Sequence, residues 1–226
     1  HSKSKRSDGP FVVINSARMS PETIDQELFG SEEVLEDPGS PKRIGILEKA
    51  NNGTLFIDEV ADMPLETQAR ILRVLQDQRF YRVGGTSEVL VDIRVVSATS
   101  KDLLKEIKEG KFREDLFHRL SVVPIKIPPL SERREDIPIL AKHFMEVTAQ
   151  NIGFAQRSMS DDAIAVLQSK NWSGNVRELK NLIERLLIMA PGNTDDPIKP
   201  EMIPPEVMSD GSNALRNSSN GEIIAM

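Results

Sequence analysis

The apolar residues of this chain follow two alternating patterns over its first 130 residues. Short apolar-rich runs, typical of buried strands, occur at residues 11–15, 54–60, 80–85, 89–99 and 122–128. Between them, stretches with one apolar face predict helices at residues 20–29, 65–77, 102–110 and 112–120. Because strands alternate with helices, we predict an α/β fold with a mostly parallel sheet that is covered on both faces.

The pattern changes after Pro129. Only helical periodicity follows, at residues 137–151, 160–170 and 175–189, and the tail is rich in Pro, Asn, Ser and Gly without a period. We therefore predict an α/β core at residues 1–130, a small all-α domain at 131–191 and a flexible linker at 192–226.

Composition narrows the class of protein. The 226 residues contain no cysteine, which excludes disulfides and cysteine-based sites and suits a cytoplasmic location. No run approaches the roughly 18 apolar residues of a membrane-spanning helix, so we expect no membrane contact. The net charge of −6 argues against a broad nucleic-acid-binding surface, and we expect any DNA contact to lie outside this chain.

The strongest chemical signal is GTLFIDEV, residues 53–60, in which two acids follow an apolar run. Asp58 and Glu59 can serve one site only if the strand ends there, because neighbouring residues of a strand point to opposite faces. The carboxyl edge of a parallel sheet is where ligands bind. This is the Walker B arrangement, in which Asp58 would hold Mg²⁺ and Glu59 would polarise an attacking water. The alternative is a strand end with two solvated acids.

Nine stretches in one order give a specific family resemblance: FVVINSA, ELFG, GTLFIDEV, ILRVLQ, RVGG, IRVVSATSKDL, FREDLFHRL, PPLSERREDI and WSGNVRELKNLIER. Together they span residues 10 to 190. The chain resembles the central ATPase domain of the NtrC family of bacterial enhancer-binding proteins, a branch of the AAA+ ATPases. The resemblance implies a P-loop-type parallel sheet core followed by an α-helical lid, with ATP or ADP and Mg²⁺ as ligands.

The resemblance also implies roles for three polar residues at strand ends. Asn15 matches a position whose amide can hydrogen-bond Glu59 and hold it out of line; the alternative is an Asn that closes a strand into a turn. Thr99 matches the sensor of the γ-phosphate at the end of the central strand. Relatives carry Asn after this Thr, whereas Ser100 stands here, which leaves that part of the sensing open.

Arginines supply the remaining matches. Arg113 and Arg119 match positions that reach the nucleotide of a neighbouring subunit, a task suited to a permanently charged, planar side chain. Six residues apart on a helix, they would point about 120° apart. Arg177 matches the second sensor, which places a lid-borne charge on the phosphates. The alternatives are ion pairs, of Arg113 or Arg119 with Glu114 or Asp115, and of Arg177 with Glu178 or Glu184.

Two segments depart from the family pattern. No GK[ST] phosphate loop occurs in these residues, and we expect that it precedes His1 in a longer protein. Relatives that open sigma-54 promoters carry GAFTGA after ELFG. Here the acidic loop, residues 31–42, replaces it with four acids among its first seven residues and with Pro38 and Pro41. Among the family branches this most resembles NtrX-type response regulators.

The resemblance thus implies the ATP-binding module of a two-component-type transcriptional regulator. It would hydrolyse Mg-ATP at subunit interfaces of a homo-oligomer, from a dimer to a ring. A DNA-binding domain and a receiver domain addressed by a sensor kinase would lie outside this chain. RNA polymerase is an expected partner, but without the usual sigma-54 contact. The alternative is a nucleotide-responsive oligomerisation scaffold with little or no ATPase activity.

Overall fold

The computed structural model of the protein describes residues 1–32, 43–153, 157–189 and 196–205. The chain forms two compact units, residues 1–125 and residues 126–226. Most of the acidic loop and most of the tail predicted to be a linker lie outside the described residues.

The first unit is an α/β unit, as the strand and helix pattern predicts. Its strands are β1 (Phe11–Asn15), β2 (Thr54–Asp58), β3 (Arg79–Tyr81), β4 (Glu88–Leu90) and β5 (Arg94–Ser97). Its helices are α1 (Ile24–Phe29), α2 (Ile46–Lys49), α3 (Leu65–Asp77), α4 (Leu103–Lys108) and α5 (Glu114–Leu120). The strands β1, β2 and β5 pair in parallel with β2 in the middle, which confirms the predicted fold class.

The register of the parallel sheet decides which side chains share a face. Phe11 pairs with Thr54 at one end of β1, and Asn15 pairs with Asp58 at the other. One face turns Ile14 and Ile57 into the core of the first unit, where both are almost fully buried. Since side chains alternate along a strand, Asn15 and Asp58 lie on the opposite face, at the carboxyl edge of the sheet.

Helix α3 covers part of this core and begins and ends at the residues that its sequence predicts. Its apolar face buries Ile71, Leu72 and Leu75, and the helix stops at Gln78, which adopts a left-handed backbone with φ 54°. The polar Gln68 lies on the same buried face, at helical spacing from Ile71 and Leu75.

Two features differ from the pattern-based prediction. The run 89–99 is divided between β4 and β5, and β4 pairs antiparallel with β3 in a separate hairpin. The strand predicted at residues 122–128 was wrong: the structure places no strand there, and Val122 is 73 % exposed. An apolar run becomes a strand only beside a partner that completes its hydrogen bonds, and Pro124 and Pro128 have no N–H to offer.

The second unit is built mainly of helices in its described residues, as predicted, with one isolated parallel β-bridge between Met159 and Ile198. It consists of α6 (Ile137–Ile152), α7 (Asp161–Ser169) and α8 (Asn175–Met189) with short 3₁₀ turns. Ser160 caps α7 by accepting a hydrogen bond from the N–H of Ala163. Trp172 is buried in this core, where its indole N–H donates to the carbonyl of Leu167 over 2.9 Å.

Candidate functional site

Asn15 and Asp58 form the centre of the candidate site. The amide Nδ2 of Asn15 donates to Oδ2 of Asp58 over 2.8 Å, and the N–H of Ala17 donates to Oδ1 of Asn15 over 3.0 Å. Both groups of the Asn15 amide are therefore engaged. The family resemblance pairs Asn15 with Glu59, whereas the structure pairs it with Asp58, because these two residues are register partners on one face of the sheet.

Glu59 lies just beyond the end of β2, where the strand was predicted to stop. Its backbone is left-handed, with φ 51° and ψ 50°, a conformation that only a few per cent of non-glycine residues adopt. This turn brings two consecutive carboxylates to one edge of the sheet. The N–H of Val60 donates to the carbonyl of Ala98 over 3.0 Å, so the turn is fixed against the end of β5.

The segment that follows β5, here called the 98–101 loop, contacts this turn through side chains as well. Ser100 donates its backbone N–H and its hydroxyl to Oε2 of Glu59, each over 3.0 Å. Lys101 forms an ion pair with Asp62, and hydrogen bonding to Asp62 raises the pKa of Lys101 above its ordinary value. Thr99 accepts a hydrogen bond from the N–H of Lys101 over 3.1 Å.

Ser100 thus lies beside Glu59, and Thr99 directly precedes it in the same loop. The strand that leads to them, β5, pairs with β2 alone within the described residues, so it is an edge strand there rather than the central one. The sequence left the role of Ser100 open. In the structure this residue contacts Glu59, which the sequence pattern does not show.

Arg113 lies immediately before the first residue of α5, as its N-cap. Its guanidinium forms a bidentate ion pair with Asp115, with Nε–Oδ1 3.0 Å and Nη2–Oδ2 2.7 Å. Hydrogen bonding within this pair raises the pKa of Arg113 and holds the pKa of Asp115 below its ordinary value. Arg113, Glu114, Asp115 and His118 line one surface pocket. The ion pair named as the alternative for Arg113 is therefore present in the single chain.

Arg119 makes a different contact. Its Nη2 donates to the carbonyl of Leu75 in the last turn of α3 over 2.7 Å, so it joins α5 to α3 within one chain. The helical angle predicted between Arg113 and Arg119 does not apply, because Arg113 precedes the helix. Of the two arginines, Arg113 is the one whose partner is an exposed carboxylate rather than a backbone carbonyl.

Sequence reasoning missed Gln68, which is fully buried under the Arg113 segment. Its side-chain amide donates to the carbonyls of Met63 and Lys111, and its Oε1 accepts from the N–H of Arg113 over 2.9 Å. Gln68 therefore ties the backbone before α5 to α3. The available signal was a polar residue on the apolar face of an amphipathic helix.

Arg177 lies in the first turn of α8 in the second unit and is exposed. Within the described part of the chain it forms no ion pair. Glu178 instead pairs with Lys170 and accepts from the N–H of Gly174, and Glu184 pairs with Lys180. The ion pairs named as alternatives for Arg177 are therefore not formed among the residues that the structure describes.

Across the described residues, no three His, Cys, Asp or Glu side chains come together as a metal-binding group. No helix in those same ranges is long and apolar enough to cross a membrane.

Comparison with known proteins places these features in a family. Residues 1–126 match the family model described as the sigma-54 interaction domain, and residues 131–220 match that of the AAA+ ATPase lid domain. The nitrogen assimilation regulatory protein NtrX of Azorhizobium caulinodans is 53 % identical over 207 residues, which cover 92 % of this chain and 45 % of NtrX. The DNA-binding transcriptional regulator NtrC of Escherichia coli K12 is 47 % identical over 192 residues, which cover 85 % of this chain and 41 % of NtrC.

The solved structures include NtrX from Brucella abortus, crystallised in complex with ATP. It superimposes with a TM-score of 0.83 at 48 % identity, over 92 % of this chain and 46 % of that one. The chain therefore spans about half the length of the relatives that it matches. The match to the first family model covers more than half of this chain, and the second model accounts for the helical unit. The chain belongs to the sigma-54 interaction domain family of AAA+ proteins, and its similar relatives include the nitrogen assimilation regulatory protein NtrX and the transcriptional regulator NtrC.

Proposed function

We propose that this chain is the ATP-binding module of a bacterial two-component transcriptional regulator and that it hydrolyses Mg-ATP where subunits of a homo-oligomer meet. The observation that carries the proposal is the edge of the parallel sheet, where Asp58, Glu59, Thr99 and Ser100 converge. The complex of the Brucella abortus relative with ATP supports the choice of nucleotide.

Asp58 fits the role of a magnesium ligand. One of its carboxylate oxygens accepts from Asn15, and the other accepts no hydrogen bond from the described residues. Mg²⁺ in nucleotide sites is held by one or two carboxylates together with phosphate oxygens and water, so a single acid is sufficient here. When bound, the ion would neutralise charge that develops on the phosphates. Asn15 fixes the orientation of the Asp58 carboxylate.

Glu59 is the residue we assign to the attacking water. Its carboxylate lies one residue beyond Asp58, so water activated there would be close to the phosphates of a nucleotide whose magnesium ion Asp58 would hold. The hydroxyl of Thr99 accepts from Lys101 and keeps its own proton, which it can donate to a γ-phosphate oxygen. Ser100 controls the carboxylate of Glu59 directly, as developed below.

Arg113 is the residue we assign to the nucleotide of a neighbouring subunit. It stands on the surface at the start of α5, and its partner Asp115 is exposed, so exchange of that carboxylate for a phosphate requires no buried charge to be uncovered. Arg119 is held by the carbonyl of Leu75, so we assign it to bracing α5. Arg177, exposed on the lid, is the charge we assign to contact the phosphates of its own subunit.

The partners of the whole protein are part of the proposal. NtrC is named a DNA-binding transcriptional regulator, and an NtrX-like relative in Rickettsia conorii is named a putative response regulator. We therefore place DNA binding and the receiver domain outside this chain, in a cytoplasmic protein. We also propose that it does not remodel sigma-54 polymerase in the usual way. The acidic loop carries Glu36 and Asp37 where GAFTGA relatives carry an aromatic tip.

A second function is favoured by a specific observation. In the single chain, Glu59 is hydrogen-bonded by Ser100 and Arg113 is paired with Asp115, so the two groups that hydrolysis needs are both engaged. A module that binds ATP to set its oligomeric state, with little turnover, would show this arrangement.

The deciding experiment measures oligomer size and ATP turnover together in the full-length protein. We expect ATP to promote assembly and Glu59→Gln to bind ATP without turning it over. Assembly with negligible turnover in the unmodified protein selects the scaffold. Undiminished turnover in Glu59→Gln contradicts the assignment of the catalytic carboxylate.

A further inference from the structure

The clearest unexplained feature of the site is the way Glu59 is held. It has a left-handed backbone, and one oxygen of its carboxylate, Oε2, accepts two hydrogen bonds from Ser100. These two hydrogen bonds fix the orientation of the carboxylate and occupy an oxygen that could otherwise accept a proton from water. The geometry is that of a base at rest.

The 98–101 loop contacts both sides of the Glu59 turn. The N–H of Ala98 donates to the carbonyl of Ile57 over 2.8 Å before the turn, and Lys101 pairs with Asp62 after it. Ser100 contacts the carboxylate between these two points. A displacement of this short loop therefore acts directly on Glu59.

Asn15 is engaged elsewhere in the same structure. Its Nδ2 donates to Asp58 and its Oδ1 accepts from the N–H of Ala17. Holding Glu59 would require it to break its bond to the neighbouring acid. Ser100 needs no such exchange, because its hydroxyl already donates to Glu59.

We propose that Ser100 is the positioning residue that holds Glu59 in its resting state, and that movement of the 98–101 loop releases it when ATP binds. This inference rests on the proposed function. Thr99 precedes Ser100 directly and has a hydroxyl proton to donate, so a γ-phosphate that attracts Thr99 displaces Ser100 as well. Recognition of the terminal phosphate and release of the base are thereby joined in two consecutive residues.

The kinetic test uses Ser100→Ala in the full-length protein, which removes the hydroxyl donor and keeps the backbone N–H. We expect kcat for ATP hydrolysis to rise about threefold to tenfold, the effect of one lost hydrogen bond to a resting base, with the Kd for ATP unchanged. Ser100→Thr keeps a hydroxyl and should restore the lower kcat. Ser87→Ala, at an exposed serine of the β3–β4 hairpin, is the matched control. A kcat that is unchanged or lowered in Ser100→Ala overturns the proposal.

A second readout does not depend on turnover. Hydrogen exchange of the Ser100 amide should be about threefold to tenfold faster in Glu59→Ala than in the unmodified protein, because the acceptor is lost. A non-hydrolysable ATP analogue should speed exchange in the unmodified protein to the same extent, while ADP should not. If the Ser100 amide exchanges equally fast in the two proteins, or if the analogue does not change its exchange, the proposal that Ser100 holds Glu59 is overturned. If the exchange results are as expected but the protein does not hydrolyse ATP, the proposed ATPase function is refuted instead.

Discussion

Arg82 joins the base of the acidic loop to the rest of the first unit, and its removal should destabilise that unit. Its guanidinium donates Nε and Nη2 to both oxygens of Glu48 over 2.9 and 2.7 Å, and Nη1 to Glu32 over 2.9 Å. The side chains are only 14 % exposed for Arg82, 17 % for Glu48 and 18 % for Glu32. Hydrogen bonding to Glu48 is the main reason that the pKa of Arg82 lies above its ordinary value.

The magnitude follows from these contacts. A hydrogen bond to a charged group contributes about 1.5–3 kcal/mol, and loss of one partner from a fully buried pair costs about 3–5 kcal/mol. Because residual exposure lets water reach the carboxylates, we expect Arg82→Ala to lower the free energy of unfolding by about 3 kcal/mol. Arg82→Lys keeps the charge but loses the bidentate geometry. Its free energy of unfolding should therefore lie between those of the unmodified protein and Arg82→Ala.

Urea denaturation followed by far-ultraviolet circular dichroism measures the effect. Arg79→Ala is the matched control, because Arg79 belongs to the same hairpin but its ion pair with Glu88 is 3.3 Å long and more than one-third exposed on both sides. We expect that control to change stability by about 0.5 kcal/mol or less. If Arg82→Ala costs no more than Arg79→Ala, the reasoning from burial and bidentate geometry is refuted.

Three further predictions test other contacts. Gln68→Leu keeps the side-chain volume but removes three hydrogen bonds to backbone groups. It should lower the free energy of unfolding, measured by urea denaturation, by about 2–4 kcal/mol. A loss below about 1 kcal/mol would show that water replaces these hydrogen bonds. The pKa of Asp115, measured by NMR, should lie below its ordinary value because Arg113 hydrogen-bonds its carboxylate, and it should rise in Arg113→Ala. The pair therefore stabilises the fold at neutral pH, and that stabilisation is lost as the pH falls through the lowered pKa. An unshifted Asp115 would mean that the pair does not persist in solution. Trp172→Phe removes the donor to the carbonyl of Leu167 and should destabilise the helical unit by about 1–3 kcal/mol. Hydrogen exchange of the amides in α7 and α8 measures this loss. Unchanged exchange would contradict the assigned role of the indole N–H.

Local pattern predicted the elements that depend on one amphipathic face. Helices α3 and α8 have the predicted bounds, and β1 matches the predicted run, since a buried face dictates periodicity within each segment. The run at residues 122–128 was misread because a strand also requires a neighbour, and periodicity does not report one. The β3–β4 hairpin was missed for a related reason, since pairing direction depends on the chain between the strands.

The sequence indicated candidate site residues, whose roles stay predictions, but not the contacts that these residues make. The two acids could be placed at a sheet edge from GTLFIDEV alone. The pairing of Asn15 with Asp58 follows from the register of the two strands. The pairing of Ser100 with Glu59 follows from the left-handed backbone of Glu59, which a glutamate in the sequence does not predict. Such contacts join segments about 40 residues apart, so local sequence patterns do not predict them.

The central claim is that Glu59 is the catalytic carboxylate of an ATPase. Its most direct test is ATP binding and steady-state turnover of the full-length protein beside its Glu59→Gln variant. We expect equal Kd values and a kcat at least about a hundredfold lower in the variant, the range of general base catalysis. Equal turnover by the two proteins would contradict it.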